Sequence, residues 1–210
     1  MIDLYTWTTP NGRKISIMLE ELGVEYNVHP IEFSKGMQRE PEFLKIGPNN
    51  KIPVIVDQDT GQSVMESGAI MIYLADKYGK FLPKDNAKRT EVMEWLMWQM
   101  AGLGPICGQA HAYLHFNPGE APFAEERLKA EVARLYSVLD RRLEGREFIC
   151  DEYSIADMAC WPWVSRYEWH KADLDQFPNV RAWYKRLLAR DAVQKGYHVP
   201  KKAGEIPTGD

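Results

Sequence analysis

Apolar positions alternate with polar ones or cluster in short runs over the first third of the chain; beyond about residue 86 they recur at helical spacing. Ile2 to Tyr5 is a short β-prone run, and Pro10-Asn11-Gly12 marks a turn into a helix. Ile15, Met18, Leu19 and Leu22 share a face of that helix, and Gly23 is its stop. Tyr26 to Ile31 reads as a second strand, so strand, helix and strand form a parallel unit. A short helix is predicted around Glu42 to Lys45. Val54 to Val56 and Ser63 to Met65, joined by a polar turn, predict a hairpin. A helix over Ser67 to Tyr78 then places Ile70, Tyr73, Leu74 and Tyr78 on one face. The order βαβ–ββα is that of a thioredoxin-like domain, assigned to residues 1–78.

Residues 79–85 carry Gly, Pro and charges and read as a linker, and residues 86–210 as an all-helical domain with an irregular tail. The fold class is therefore a thioredoxin-like α+β domain followed by an all-α bundle. The run from Glu91 to Met100 is helical; Gly102, Gly104, Pro105 and Gly108 predict an interruption, with helix resuming toward His115 after a bend. Phe116 to Pro122 is loop, and Glu125 to Leu143 is amphipathic, with Leu128, Val132, Leu135, Leu139 and Leu143 on one side. Ser154 and Asp157 form a capping box, a structural feature, and Pro162 predicts a kink in the helix that follows. The last predicted helix is Pro178 to Ala189, and the tail after Gly196 is expected on the surface.

Composition narrows the function classes. A formal charge of −4 with no basic run argues against nucleic acid as a partner. No stretch approaches the ~18 apolar residues of a membrane span, and the N-terminus lacks a secretory pattern. Cys107, Cys150 and Cys160 are odd in number and lack C-x-x-C spacing, which points to a reduced, cytoplasmic protein. His111 and His115 stand four apart but lack an acid at a ligating spacing, so no metal is expected.

The chemistry concentrates between Asn49 and Ile70. Pro53 stands directly before an apolar strand, where it cannot donate to a ladder. Glu66 and Ser67 sit where a strand gives way to a helix, whose first N–H groups have no helical partner. Such a pair can hold an extended, peptide-like ligand by its main chain and its carboxylate.

These motifs, with Asn-Lys-Ile-Pro before the third strand, Glu-Ser-Gly-Ala-Ile at the third helix and Ser-Ile-Ala-Asp in the helical half, resemble a cytosolic glutathione transferase from Ile2 to about Ala192. Thr9-Pro10-Asn11-Gly12, residues 48–53 and Ala159-Cys160-Trp161-Pro162-Trp163 look most like the bacterial nu class, whose members act as glutathione-dependent disulfide reductases. The resemblance implies that the main chain of Ile52, before a cis Pro53, pairs with the cysteinyl part of glutathione. It implies that Glu66 meets the γ-glutamyl ammonium and Ser67 its carboxylate. Gln38 and Lys51 fall at the glycyl end, Thr9 and Asn11 face the sulfur, and Arg127 reaches a carboxylate from its own or a neighbouring subunit. Glutathione would be the co-substrate and a homodimer the assembly. Thr8, Thr9 and Asn11 stand where a thioredoxin carries its cysteine pair, so the reactive sulfur would be the ligand's. Conjugation of glutathione to electrophiles, and a non-catalytic glutathione-binding or regulatory role, are the alternative functions.

Overall fold

The computed structural model describes residues 1–210. Its contacts divide the chain into two units: Met1–Leu82 with Ala189–Glu205, and Pro83–Leu188 with Ile206–Asp210. Residues 189–205, assigned from sequence to the helical domain, thus belong with the first unit.

The first unit is built on a four-stranded sheet in the order β2-β1-β3-β4, made of β1 (Ile2–Thr6), β2 (Tyr26–Pro30), β3 (Val54–Asp57) and β4 (Gln62–Met65). β1 runs parallel to β2 and antiparallel to β3, which pairs antiparallel with β4 as the predicted hairpin. Helix α1 (Pro10–Leu22) lies between β1 and β2 in sequence and ends at Gly23, in the left-handed region at φ 69°. Pro10-Asn11-Gly12 is the first turn of α1 itself and not a turn ahead of it. Thr9 is the N-cap, its Oγ1 accepting from Gly12 N at 3.2 Å. Pro10 is at home there because a first-turn N–H has no helical acceptor to lose. Gly12 is required by a close approach: a Cβ would lie 2.3 Å from the Trp7 carbonyl oxygen.

Helix α2 (Pro41–Ile46) follows two short 3₁₀ turns, Phe33–Lys35 and Met37–Arg39. Helix α3 (Ser67–Tyr78) has the predicted bounds; Ile70, Met71, Leu74 and Ala75 are its buried stripe, with Tyr73 and Tyr78 half-buried at the margin. Tyr73 hydroxyl and Lys77 ammonium converge on the buried Asp57 carboxylate of β3. On the sheet's other face, Ile31, Phe43, Ile52 and Val54 form a small core with Tyr5, Trp7, Met37 and Ile46.

In the second unit the chain stays helical from Asn86 to Phe116, where sequence predicted an interruption. Helix α4 (Asn86–Trp98) passes through a wide π turn, Gln99–Leu103, into α5 (Gly104–Ala110), and a second π segment, His111–Phe116, ends the run. Wide turns of this kind let a helix absorb Pro105 and the glycines without breaking. Helix α6 (Pro122–Leu143) buries all five predicted leucine and valine positions together with Tyr136. Helix α7 (Ile155–Val164) is buried at every residue, as a helix apolar on all sides must be. Helix α8 (Pro178–Leu188) buries Val180, Trp183, Tyr184 and Leu187.

One helix was not foreseen. Helix α9 (Asp191–Tyr197) belongs to the first unit and packs on α1. Gly196 permits the contact, since a Cβ there would stand 2.6 Å from the Ile17 main chain. Its seven residues are too few for a periodic signal, which is why no helix was predicted beyond Ala189.

Candidate functional site

The strand register gathers the predicted residues of the first unit at one end of its sheet. Tyr5 pairs with Val54 and Thr6 with Pro30, so the chain leaving β1, the chain leaving β2 and the chain entering β3 lie side by side. Val54 pairs with Met65, which brings Ile52-Pro53 next to Glu66-Ser67. Thr9, Asn11, Gln38, Lys51, Ile52, Pro53, Glu66 and Ser67 all belong to segments flanking this end. Arg127 does not: it lies exposed on α6 of the second unit, near Glu131.

The Ile52–Pro53 peptide bond is cis. Ile52 and Pro53 are buried, Lys51 is exposed, and no backbone hydrogen bond within the chain uses the N–H or C=O of Ile52. A buried residue with unpaired main-chain groups offers one donor and one acceptor to an extended ligand.

Glu66 has φ 70° and ψ 117°, a conformation that costs a side-chain-bearing residue of order 1–3 kcal/mol. Its carboxylate does not cap α3; it accepts from Asn49 Nδ2 at 3.3 Å and stays exposed. Ser67, the first residue of α3, is buried, and its hydroxyl accepts from Lys14 Nζ at 3.3 Å. Lys14 is 1% exposed, so α1 delivers a buried positive charge to the start of α3. An oxygen-bearing anion placed there would meet a helix N-terminus, a hydroxyl and an ammonium. Lys14 was missed from sequence, although the buried face of α1 includes the adjacent pair Arg13-Lys14. Two cations among Ile15, Ile17 and Met18 were the available signal.

At the start of α1, the capping bond occupies a lone pair of the Thr9 hydroxyl and leaves its O–H to donate. The first turn of α1 holds no acid, and Asn11 there is half-buried. Gln38, in the Met37–Arg39 turn, has a buried Oε1 without a hydrogen-bond partner, an acceptor open to a ligand N–H.

No cysteine lies in the first unit, and all three are buried. Burial pushes the thiol of Cys107 up, and that of Cys150 up to about 12, so neither supplies a thiolate near neutrality. His111 and His115 take separate roles: His111 Nε2 meets His170 Nε2 at 2.9 Å, and His115 stacks on Trp169 with ring centroids 4.1 Å apart. No group of three or more His, Cys, Asp or Glu side chains is arranged to hold a metal ion.

Residues 1–76 match the family model of the glutathione S-transferase N-terminal domain, and residues 122–186 that of the C-terminal domain. The chain is 48% identical over 199 residues to the disulfide-bond oxidoreductase YfcG of Escherichia coli (strain K12), covering 92% of this chain and 93% of that protein. It is 39% identical to the disulfide-bond oxidoreductase YghU of the same organism, covering 98% of this chain and 77% of that one. A crystal structure of a glutathione transferase from Pseudomonas putida, with one glutathione disulfide bound per subunit, superposes with a TM-score of 0.90 at 42% identity, over 95% of this chain and 91% of that one. One from Burkholderia graminis, with two glutathione molecules bound per subunit, gives 0.89 at 43%, over 96% and 89%.

Proposed function

The chain belongs to the glutathione transferase family, and from that premise we propose that it is a glutathione-dependent disulfide-bond oxidoreductase. The observation that carries the proposal is the placement of its own thiols: all three are buried, outside the unit that holds the candidate site. The sulfur that reacts is therefore the ligand's. Reduction is preferred to conjugation because the relatives YfcG and YghU are disulfide-bond oxidoreductases.

In this reading the main chain of Ile52 pairs with the cysteinyl part of glutathione. Glu66 receives the γ-glutamyl ammonium, and Ser67, backed by Lys14, receives its carboxylate. Gln38 and Lys51 meet the glycyl end, Arg127 takes a carboxylate of a second tripeptide, and Thr9 and Asn11 face the sulfur. A free thiol of this type has a pKa of about 8.5, so only a few per cent is ionised at neutral pH. Lowering that pKa by about two units takes roughly 2.7 kcal/mol. A helix N-terminus contributes about 0.3–1 kcal/mol, and one hydrogen bond to the charged sulfur about 1.5–3 kcal/mol. The start of α1 with one donor from Thr9 or Asn11 is thus sufficient. The bound thiolate attacks one sulfur of a disulfide, forming a mixed disulfide and expelling the other sulfur as a thiolate. The thiolate of a second glutathione attacks the mixed disulfide, releasing glutathione disulfide and the second thiol. Two glutathiones are oxidised and one disulfide is reduced.

We further infer a homodimer in the cytoplasm; light scattering and cell fractionation test these two statements. Paired assays test the activity: glutathione-dependent reduction of bis(2-hydroxyethyl) disulfide against conjugation to a chlorinated nitroarene. Strong reduction with feeble conjugation is expected. The reverse makes the protein a conjugating transferase, and tight glutathione binding with neither activity makes it a non-catalytic binder. Asn11→Ala is expected to lower turnover about tenfold or more, as one lost charged hydrogen bond implies, with a smaller loss of glutathione affinity. Equal losses in both would remove Asn11 from the sulfur.

A further inference from the structure

The segment 189–205 runs antiparallel along α1. Arg190 forms a bidentate ion pair with Glu21 near the C-terminal end of α1, with N–O distances of 2.6 and 2.8 Å. Midway, Ser16 Oγ donates to the Gly196 carbonyl at 2.6 Å, and Arg13 Nε donates to the Tyr197 carbonyl at 3.1 Å. The Arg13 guanidinium also lies 3.5 Å from the centroid of the Tyr197 ring. The segment then reaches the N-terminal end of α1, where Lys201 Nζ lies 4.5 Å from the centroid of the Trp7 ring. Trp7 is part of the sulfur end of the candidate site: its carbonyl accepts from Thr9 N at 2.7 Å, and its main chain abuts Gly12.

The partner of Lys201 is informative. Nearby lysines of the first unit close on carboxylates, Lys35 on Glu32 at 2.7 Å and Lys202 on Glu205 at 2.5 Å. Lys201 instead rests on an aromatic face, exposed. A ring face steers an ammonium without neutralising it, so the positive charge and the outward N–H donors stay available. Glu32, whose carboxyl feels the charge of Lys201, is already held by hydrogen bonds from Lys35 and Ser34.

We propose that Lys201 is a specificity-determining residue: its ammonium, positioned by Trp7, receives the carboxylate of an incoming acidic disulfide at the sulfur end of the site. The inference rests on the disulfide-reductase reading and adds the charge class of the second substrate. Neither helix N-terminus explains such a preference alone, because that of α1 acts on the first thiolate and that of α3, with Ser67, on the far end of the tripeptide.

A charge series of small disulfides tests it. Glutathione-dependent reduction is measured for bis(2-hydroxyethyl) disulfide, 3,3′-dithiodipropionate and cystamine, which are neutral, anionic and cationic. Wild type is compared with Lys201→Gln and Lys201→Arg, both changes at an exposed side chain. For Lys201→Gln the ratio of kcat/KM for the anionic to the neutral disulfide is expected to fall about two- to fivefold, the size of one exposed charge pair. The ratio for the cationic to the neutral disulfide is expected to rise. The loss should lie in KM and shrink with added salt, and Lys201→Arg should retain the wild-type ratios. Ratios that do not move, or three substrates losing equally, overturn the assignment while leaving the reductase reading intact. A wild-type protein that reduces none of the three overturns the reductase reading, and this inference with it.

Discussion

Two helix N-termini in this protein carry a serine and an acid and do opposite things with them. At the start of α7, Ser154 Oγ accepts from Ala156 N, and the Asp157 carboxylate accepts from the Ser154 and Ile149 amides and from Trp183 Nε1. Serine, acid and donors are all buried, and the first turn is closed by its own side chains. At the start of α3, no side chain caps the helix, Glu66 is held at positive φ, and its carboxylate points away toward Asn49. Ser67 faces Lys14, and the edge beside the unpaired Ile52 main chain stays open. The first arrangement uses hydrogen bonding to hold a fold. The second keeps donors and charge unspent by the helix, which is what an anionic ligand requires.

The comparison breaks most visibly at Asp157. Asp157→Ala leaves three buried N–H donors without an acceptor, at about 1–3 kcal/mol each, so a loss of about 3 kcal/mol or more is expected in urea unfolding. A change under about 1 kcal/mol would mean that α7 does not depend on its box. Ser67→Ala should act on the ligand instead: glutathione affinity falls about 10- to 100-fold by calorimetry, the value of a hydrogen bond to a carboxylate. Unaltered affinity would place the carboxylate elsewhere.

A pH titration sharpens the contrast. Burial pushes the Asp157 carboxyl from 3.8 up to about 6, against the hydrogen bonds from Ile149, Trp183 and Ser154 that pull it down. The folded state therefore keeps this proton to higher pH than the unfolded chain. Stability from this group is full below about pH 4 and is lost as pH rises through about 6. The stability gap between wild type and Asp157→Asn should narrow from about pH 4 to about pH 7; a widening gap would reverse the sign. The smallest effect is expected at Glu66. Glu66→Gly relieves the positive φ and should raise stability by about 0.5–1 kcal/mol while weakening glutathione binding. A destabilised variant would show that the backbone there is not strained.

Most of the fold was legible because its signals are local. Gly23 ends α1, the hairpin and α3 stand where alternation and turn residues put them, and Ser154 with Asp157 caps α7. The predicted break between Gly102 and Gly108 did not occur, since wide turns carry the helix through. Residues 189–205 were assigned to the helical half because their attachment to α1 depends on contacts about 180 positions apart in sequence, such as Ser16 with Gly196. Within the candidate site, Glu66, Ser67 and Pro53 were visible from their places at strand and helix boundaries. Lys14 and Lys201 were not, because each acts through a partner remote in sequence.

From sequence alone come the order of elements, the two kinds of architecture, the motifs of the family and the lack of a redox cysteine pair. Each depends on residues within a few positions of one another, where periodicity, turn chemistry and spacing decide. Tertiary structure alone decided that the buried ammonium of Lys14 faces Ser67, that Glu66 turns away from its helix, and that a C-terminal strap delivers Lys201 to Trp7. The physical reason is that a charge takes its meaning from what surrounds it, and those surroundings are assembled from distant parts of the chain.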